Sequence, residues 1–148
     1  MKIYLDVCCL NRPFDNRIQD RIRFESEAIL TILDHCQGGK YIFVSSEAVD
    51  IEIFKIPDTE KRQKVGMLSS ISQLYIKVDT HVEKRAIELE QMNFTGFDAL
   101  HIACAERGKV DILLTTDDSL IRKALRYKQI LKIKIENPVT WLMEVTKR

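Results

Sequence analysis

Glycine and proline are scarce, five and three in 148 residues. No low-complexity segment or internal repeat interrupts the chain, so a repeat array is excluded. No apolar run approaches the roughly 18–20 residues of a membrane span. Asp6 breaks the first apolar run at once, which leaves no room for the apolar segment of a secretory signal. The expected location is the cytoplasm. Charge of either sign is not in excess either. A net charge of +1 gives no global nucleic-acid footprint, so a polyanionic partner would have to meet a local patch. C-x-x-C and HEXXH are both absent and the histidines are scattered (His35, His81, His101), which argues against the usual zinc arrangements. Each histidine reads as a surface or core residue. The four cysteines, Cys8, Cys9, Cys36 and Cys104, lack the spacing of a disulfide framework and read as reduced, mostly buried thiols.

Hydrophobic residues make up 45% of the sequence and charged ones 30%, an ordinary balance for a globular protein. The length is most simply one domain, residues 1–148. Short β-rich apolar runs alternate with helical periodicity. Strands are predicted at 2–7 (KIYLDV), 41–45 (YIFVS), 74–78 (LYIKV), 111–116 (DILLTT) and 131–135 (LKIKI). Helices are predicted at 18–36, stopped by Gly38-Gly39, and at 46–55, 58–71, 80–92, 95–108, 117–127 and 138–145. The segment TGFDALHIACAERG (95–108) is apolar nearly all round until Glu106, as a central buried helix is. Residues 8–17 read as a loop. This alternation describes a three-layer α/β/α sandwich around a parallel sheet of about five strands. In such sheets chemistry collects outside the carboxyl ends of the strands, at the switch point.

Acids sit where that rule points. Asp6 ends the first strand, Asp98 opens the buried helix, and Asp117 follows the fourth strand. Glu52, in VSSEAVDIEIF, lies about two turns into the helix after the second strand. Each has an ordinary reading. Asp6 can end a strand, Asp98 stands three residues after Thr95 as in a capping box, Asp117 can be an N-cap, and Glu52 can face solvent beside Glu47 and Asp50. Carboxylates converging on one crevice repel, however, and raise one another's pKa unless a cation sits among them. Hard divalent cations such as Mg²⁺ or Mn²⁺ take oxygen ligands and can assist hydrolysis of a phosphodiester.

The succession of Asp6 after strand one, then GFDALHIACA, then LLTTDDSLIRKA resembles the PIN-domain family, which includes VapC-type toxin ribonucleases, over essentially the whole chain. The resemblance implies an endoribonuclease that gathers acids around Mg²⁺ or Mn²⁺. By position it implies Asp6, Asp98 and Asp117 as metal ligands and Glu52 as the second-helix acid, with Glu47 and Asp50 less well placed. Asp118 is an auxiliary acid candidate, or simply the first-turn acid of its helix. Cys8 departs from the pattern, because Ser, Thr or Asn usually stands two residues after the first Asp. The resemblance also implies an RNA substrate, an antitoxin protein as partner, and a homodimer.

For RNA contacts the chain offers two basic clusters. Residues 119–135 hold Arg122, Lys123, Arg126, Lys128, Lys132 and Lys134 with no acid, and Arg12, Arg17, Arg21 and Arg23 are diluted by Asp15 and Asp20. Arg12, Arg122, Lys123 and Arg126 are the candidates for phosphate contact. Two competing readings stay in view. One is a PIN-fold RNA- or protein-binding regulatory module that does not turn over. The other, a phosphoaspartate phosphatase or receiver, also puts Asp after strand one. That reading fits poorly, since a phosphatase expects a second acid where Cys8 stands and a receiver expects an acidic pair.

Overall fold

The computed structural model describes residues 1–147. In them, β1 (Lys2–Leu5) leads into α1 (Val7–Asn11) and a 3-10 turn at Arg12–Phe14, followed by α2 (Asp20–Gln37) and β2 (Ile42–Ser46). Next come α3 (Glu47–Phe54), α4 (Thr59–Ser69), β3 (Leu74–Ile76), α5 (Thr80–Gln91) and α6 (Gly96–Arg107). The chain continues with β4 (Ile112–Leu114), α7 (Asp118–Arg126), β5 (Lys134–Glu136) and α8 (Pro138–Thr146). The strands form one parallel sheet in the order β3-β2-β1-β4-β5. This is the α/β fold with helices on a central parallel sheet that the alternation predicts.

The core explains the strand composition. Ile3, Tyr4, Leu5, Phe43, Val44, Ile112, Leu113 and Leu114 are all buried, without the alternation of a sheet that faces water on one side. Continuous apolar strands are what helices on both faces require. Helix ends follow local chemistry. Gly39 adopts φ +85° just past α2, a backbone conformation that glycine reaches at low cost. Pro138 opens α8, and Asn137 accepts from Val139 N–H at 2.8 Å. Trp141 packs edge-on against Tyr41, with ring centroids 5.4 Å apart.

Three details differ from the predicted elements. All the strands but β2 are shorter, with β1 stopping at Leu5 and β4 at Leu114; the Asp6 and Thr115 amides still donate to Leu114 and Glu136, while their side chains bond to each other beyond the strand ends. The expected loop at 8–17 is largely helical. Asp6 caps α1 by accepting from Val7 N–H at 2.7 Å, and its carbonyl accepts from Cys9 and Leu10. β5 lies at 134–136 rather than 131–135. Leu131 is instead held by a turn, its N–H donating to Tyr127 O at 3.0 Å.

Because β1 is central, with β2 on one side and β4 on the other, the chain reverses its direction of travel between β1 and β4. The crevice at their carboxyl ends is the switch point. It lies beyond Leu5 and Leu114, which are register partners.

Candidate functional site

Asp6 follows Leu5 directly and is buried, a place where a carboxylate must be hydrogen-bonded. Its Oδ1 accepts from Val7 N–H, and its Oδ2 accepts from Thr115 Oγ1 at 2.9 Å. Thr115 stands just after β4, and its own Oγ1 also accepts from Asp117 N–H at 3.2 Å. One hydroxyl thus ties the two strand ends together. Asp117 caps α7, its Oδ1 accepting from Ser119 N–H at 2.9 Å and Leu120 N–H at 3.3 Å. Its Oδ2 has no hydrogen-bond partner among the described residues.

Asp98 sits in the first turn of α6, half-buried. Thr95 Oγ1 donates to its Oδ2 at 3.0 Å, and its Oδ1 has no hydrogen-bond partner among the described residues. Burial, and then the charges of Asp6 and Asp117, raise the Asp98 pKa. The charges of Asp6, just after β1, and of Asp117, at the start of α7, therefore both act on Asp98 in α6.

One turn along α6 from Asp98 is His101, only 2% exposed. Its Nε2 is 2.6 Å from Glu52 Oε1 and 3.6 Å from Asp6 Oδ1. Burial opposes the charged imidazole, but the bond to Glu52 and the fields of Asp6 and Asp98 outweigh it, and the pKa is raised. One ligand atom from each of Asp6, Glu52 and His101 lies within 4.8 Å of the others. Of the acids in α3, Glu52 is the one that reaches this cluster. Glu47 accepts from Val78 N–H and Asp50 accepts from the Tyr75 hydroxyl, so both serve the β3 side.

The remaining candidates stand as follows. Asp118 is exposed and accepts two N–H bonds from the Arg21 guanidinium, at 2.7 and 2.9 Å. Arg12 donates to Glu25 at 2.8 Å and to Asp15 at 2.9 Å, so its guanidinium is engaged within the protein. Lys123 donates to the carbonyl of Asn93. Arg122 and Arg126 are exposed on α7. Cys8, where a hydroxyl or amide was expected, places Sγ 3.4 Å from Asp6 Oδ2 and 3.3 Å from Thr115 Oγ1, and Thr116 N–H donates to it at 3.3 Å.

Sequence reasoning missed His101, Tyr4 and Phe97. Phe97 lies 6.3 Å, centroid to centroid, from the His101 ring, and Lys55 Nζ sits 5.1 Å over its face. A cation and an aromatic ring therefore flank the acids. The only sequence signal for His101 was its spacing: on α6 it stands three residues after Asp98, hence on the same face.

No family model matches this chain, and a search of curated proteins finds no match either. Among solved structures the chain is similar to VapBC2 from Rickettsia felis bound to a DNA fragment from their promoter. The TM-score is 0.60 at 17% identity, over 93% of this chain and 98% of that one. At that identity the likeness is one of fold. Among the described residues no helix is long and apolar enough to cross a membrane.

Proposed function

We propose that this protein is a metal-dependent endoribonuclease that hydrolyses RNA phosphodiester bonds. The observation that carries this reading is the gathering of Asp6, Glu52 and His101 within 4.8 Å at the sheet's switch point, with Asp98 held above its ordinary pKa by burial and by the charges of Asp6 and Asp117. Mutual repulsion of that kind fits a bound cation. The donor set is dominated by carboxylate oxygens, which suits Mg²⁺ or Mn²⁺. Asp6, Asp98 and Asp117 would hold the ion, with Glu52 as the fourth acid. When bound, such a cation neutralises phosphodiester charge and acidifies water.

The chain's own residues do the rest. Thr115 orients Asp6, the α7 amides orient Asp117, and Thr95 orients Asp98. Lys55 and Phe97 offer a phosphate contact and a stacking face beside the acids, a combination suited to single-stranded RNA. Exposed Arg122 and Arg126 extend the basic surface.

The same reading includes an antitoxin partner and a homodimer. The similar solved structure is a VapBC2 assembly, which supports a protein partner. An open apolar groove of about 530 Å³ between α2 and α4, lined by Phe14, Leu30, Leu33, Met67, Leu68 and Ile71, offers it a surface.

The test is cleavage of a labelled RNA panel with Mn²⁺, Mg²⁺ or EDTA, comparing wild type with Asp98→Asn. Cleavage that needs the metal and is lost in the variant is expected. Activity that survives chelation, or is equal in the variant, overturns the reading. Metal binding with no cleavage of any RNA favours the regulatory binding module.

A further inference from the structure

Tyr4 is fully buried in the central strand, where phenylalanine would fill nearly the same volume with no polar group to satisfy. Its hydroxyl is nevertheless 2.6 Å from Ser46 Oγ and 2.7 Å from His101 Nδ1. His101 Nε2 in turn meets Glu52 Oε1 at 2.6 Å. At the other end, Val49 N–H donates to Ser46 Oγ at 3.2 Å, so Ser46 is also the N-cap of α3. Ser46, Tyr4, His101 and Glu52 form one hydrogen-bonded chain from the core to the acids, and the hydroxyl at its inner end caps the helix that carries its outer end.

The chemistry of the chain limits what His101 can do. An ionised carboxylate only accepts, so facing an ionised Glu52 the His101 Nε2 carries the proton. Nδ1 is engaged by Tyr4. Both ring nitrogens are occupied by protein groups, which leaves no lone pair for a cation unless one of those bonds breaks. Glu52, whose side chain is 31% exposed, has no other side-chain hydrogen bond among the described residues. Nothing else in this set fixes its carboxylate.

Resting on the metal-acid reading above, we infer that His101 is a positioning residue that holds Glu52 beside Asp6, itself fixed by Tyr4 and Ser46. Partners of this kind, behind the ligands, orient carboxylates for a cation, and their loss typically weakens metal binding ten- to a hundredfold.

The test is calorimetric titration of the full chain with Mn²⁺ alone, arranged as a double-mutant cycle. Tyr4→Phe is expected to weaken Mn²⁺ binding about tenfold in the wild-type background and to add nothing once Glu52 is glutamine. An equal loss in both backgrounds, or no loss in either, overturns the inference, because Tyr4 would then act through packing or not at all. His101→Gln keeps a donor for Glu52 and is expected to retain more affinity than His101→Leu, and equal affinities also count against the inference. Where a variant fails to fold, nitrogen NMR of the metal-free protein decides. A protonated Nε2 whose resonance moves in Glu52→Gln supports the chain of bonds, and an unprotonated Nε2 refutes it. A folded wild type that binds no Mn²⁺ refutes the metal site, and the same resonance still judges His101.

Discussion

Thr115 Oγ1 donates to Asp6 Oδ2 at 2.9 Å, a bond between residues 109 positions apart. The same oxygen accepts from Asp117 N–H, so a single buried hydroxyl sets the spacing of two acids. Thr115→Val keeps the shape but removes that hydroxyl, leaving one Asp6 bond and one Asp117 bond unmade in a buried setting. The expected cost is about 1–3 kcal/mol, read as a lower midpoint in urea denaturation. Mn²⁺ affinity should fall with it. An unchanged midpoint would mean that water or Cys8 replaces the hydroxyl fully.

This bond also shows what was legible in the sequence. Strand identity was readable because β-rich runs of five or six residues such as YIFVS and DILLTT are too short for a buried helix and alternate with helical segments. Strand ends were less readable, since Asp6, Thr115 and Thr116 continue the β-rich pattern yet turn away to form the site. α1 was hidden because five residues are too few for helical periodicity, and its start depends on the Asp6 cap. Asp6, Asp98 and Asp117 could be nominated from their places after strands and at a helix start. His101 could not be weighed that way. Its part in the site comes from Tyr4 and Glu52, which lie 97 and 49 positions away. The same holds for Arg12 and Lys123, whose charges promised a surface until Glu25, Asp15 and the Asn93 carbonyl were seen to engage them.

Cys8 stands where a hydroxyl or amide was expected, and its sulfur touches Asp6, Thr115 and the Thr116 amide. A thiol is a weak donor, so Cys8→Ser should support Asp6 at least as well. Mn²⁺ affinity at or above the wild-type level is expected from calorimetry. Among the four cysteines, Cys8 is the one that is not fully buried, so an alkylating reagent should reach it first and block the site in wild type but not in Cys8→Ser. A loss of affinity in the serine variant would show that the thiol has a role a hydroxyl cannot fill.

Glu25 on α2 is 1% exposed and joins three segments. It accepts from Arg12 at 2.8 Å, Arg21 at 3.1 Å and Asn137 at 2.6 Å. Arg21 reaches on to Asp118 and the Thr116 carbonyl, next to the site. Removing one partner of a fully buried pair costs about 3–5 kcal/mol, chiefly through the charge left behind. Here both guanidinium groups are partly exposed and can rehydrate. Glu25→Ala should therefore cost somewhat less, about 2–3 kcal/mol, measured by chemical denaturation. A loss below the range of one ordinary hydrogen bond would mean that Asn137 and the arginines find other partners.

Asp117 and Asp118 are neighbours with different surroundings, and this makes them a sharp pair of variants. Asp117 caps α7 through Oδ1, a task that asparagine performs about equally well. Asp117→Asn should therefore keep its melting temperature while losing Mn²⁺ affinity and RNA cleavage, because only the charge has gone. Asp118 is exposed and its carboxylate is held by Arg21, an arrangement that contributes little at a surface and leaves it badly placed to serve a cation. Asp118→Asn should leave Mn²⁺ affinity unchanged. Calorimetry on both variants separates the roles. If Asp118→Asn loses affinity as Asp117→Asn does, Arg21 must release Asp118 when the metal binds, and Asp118 then belongs among the ligands.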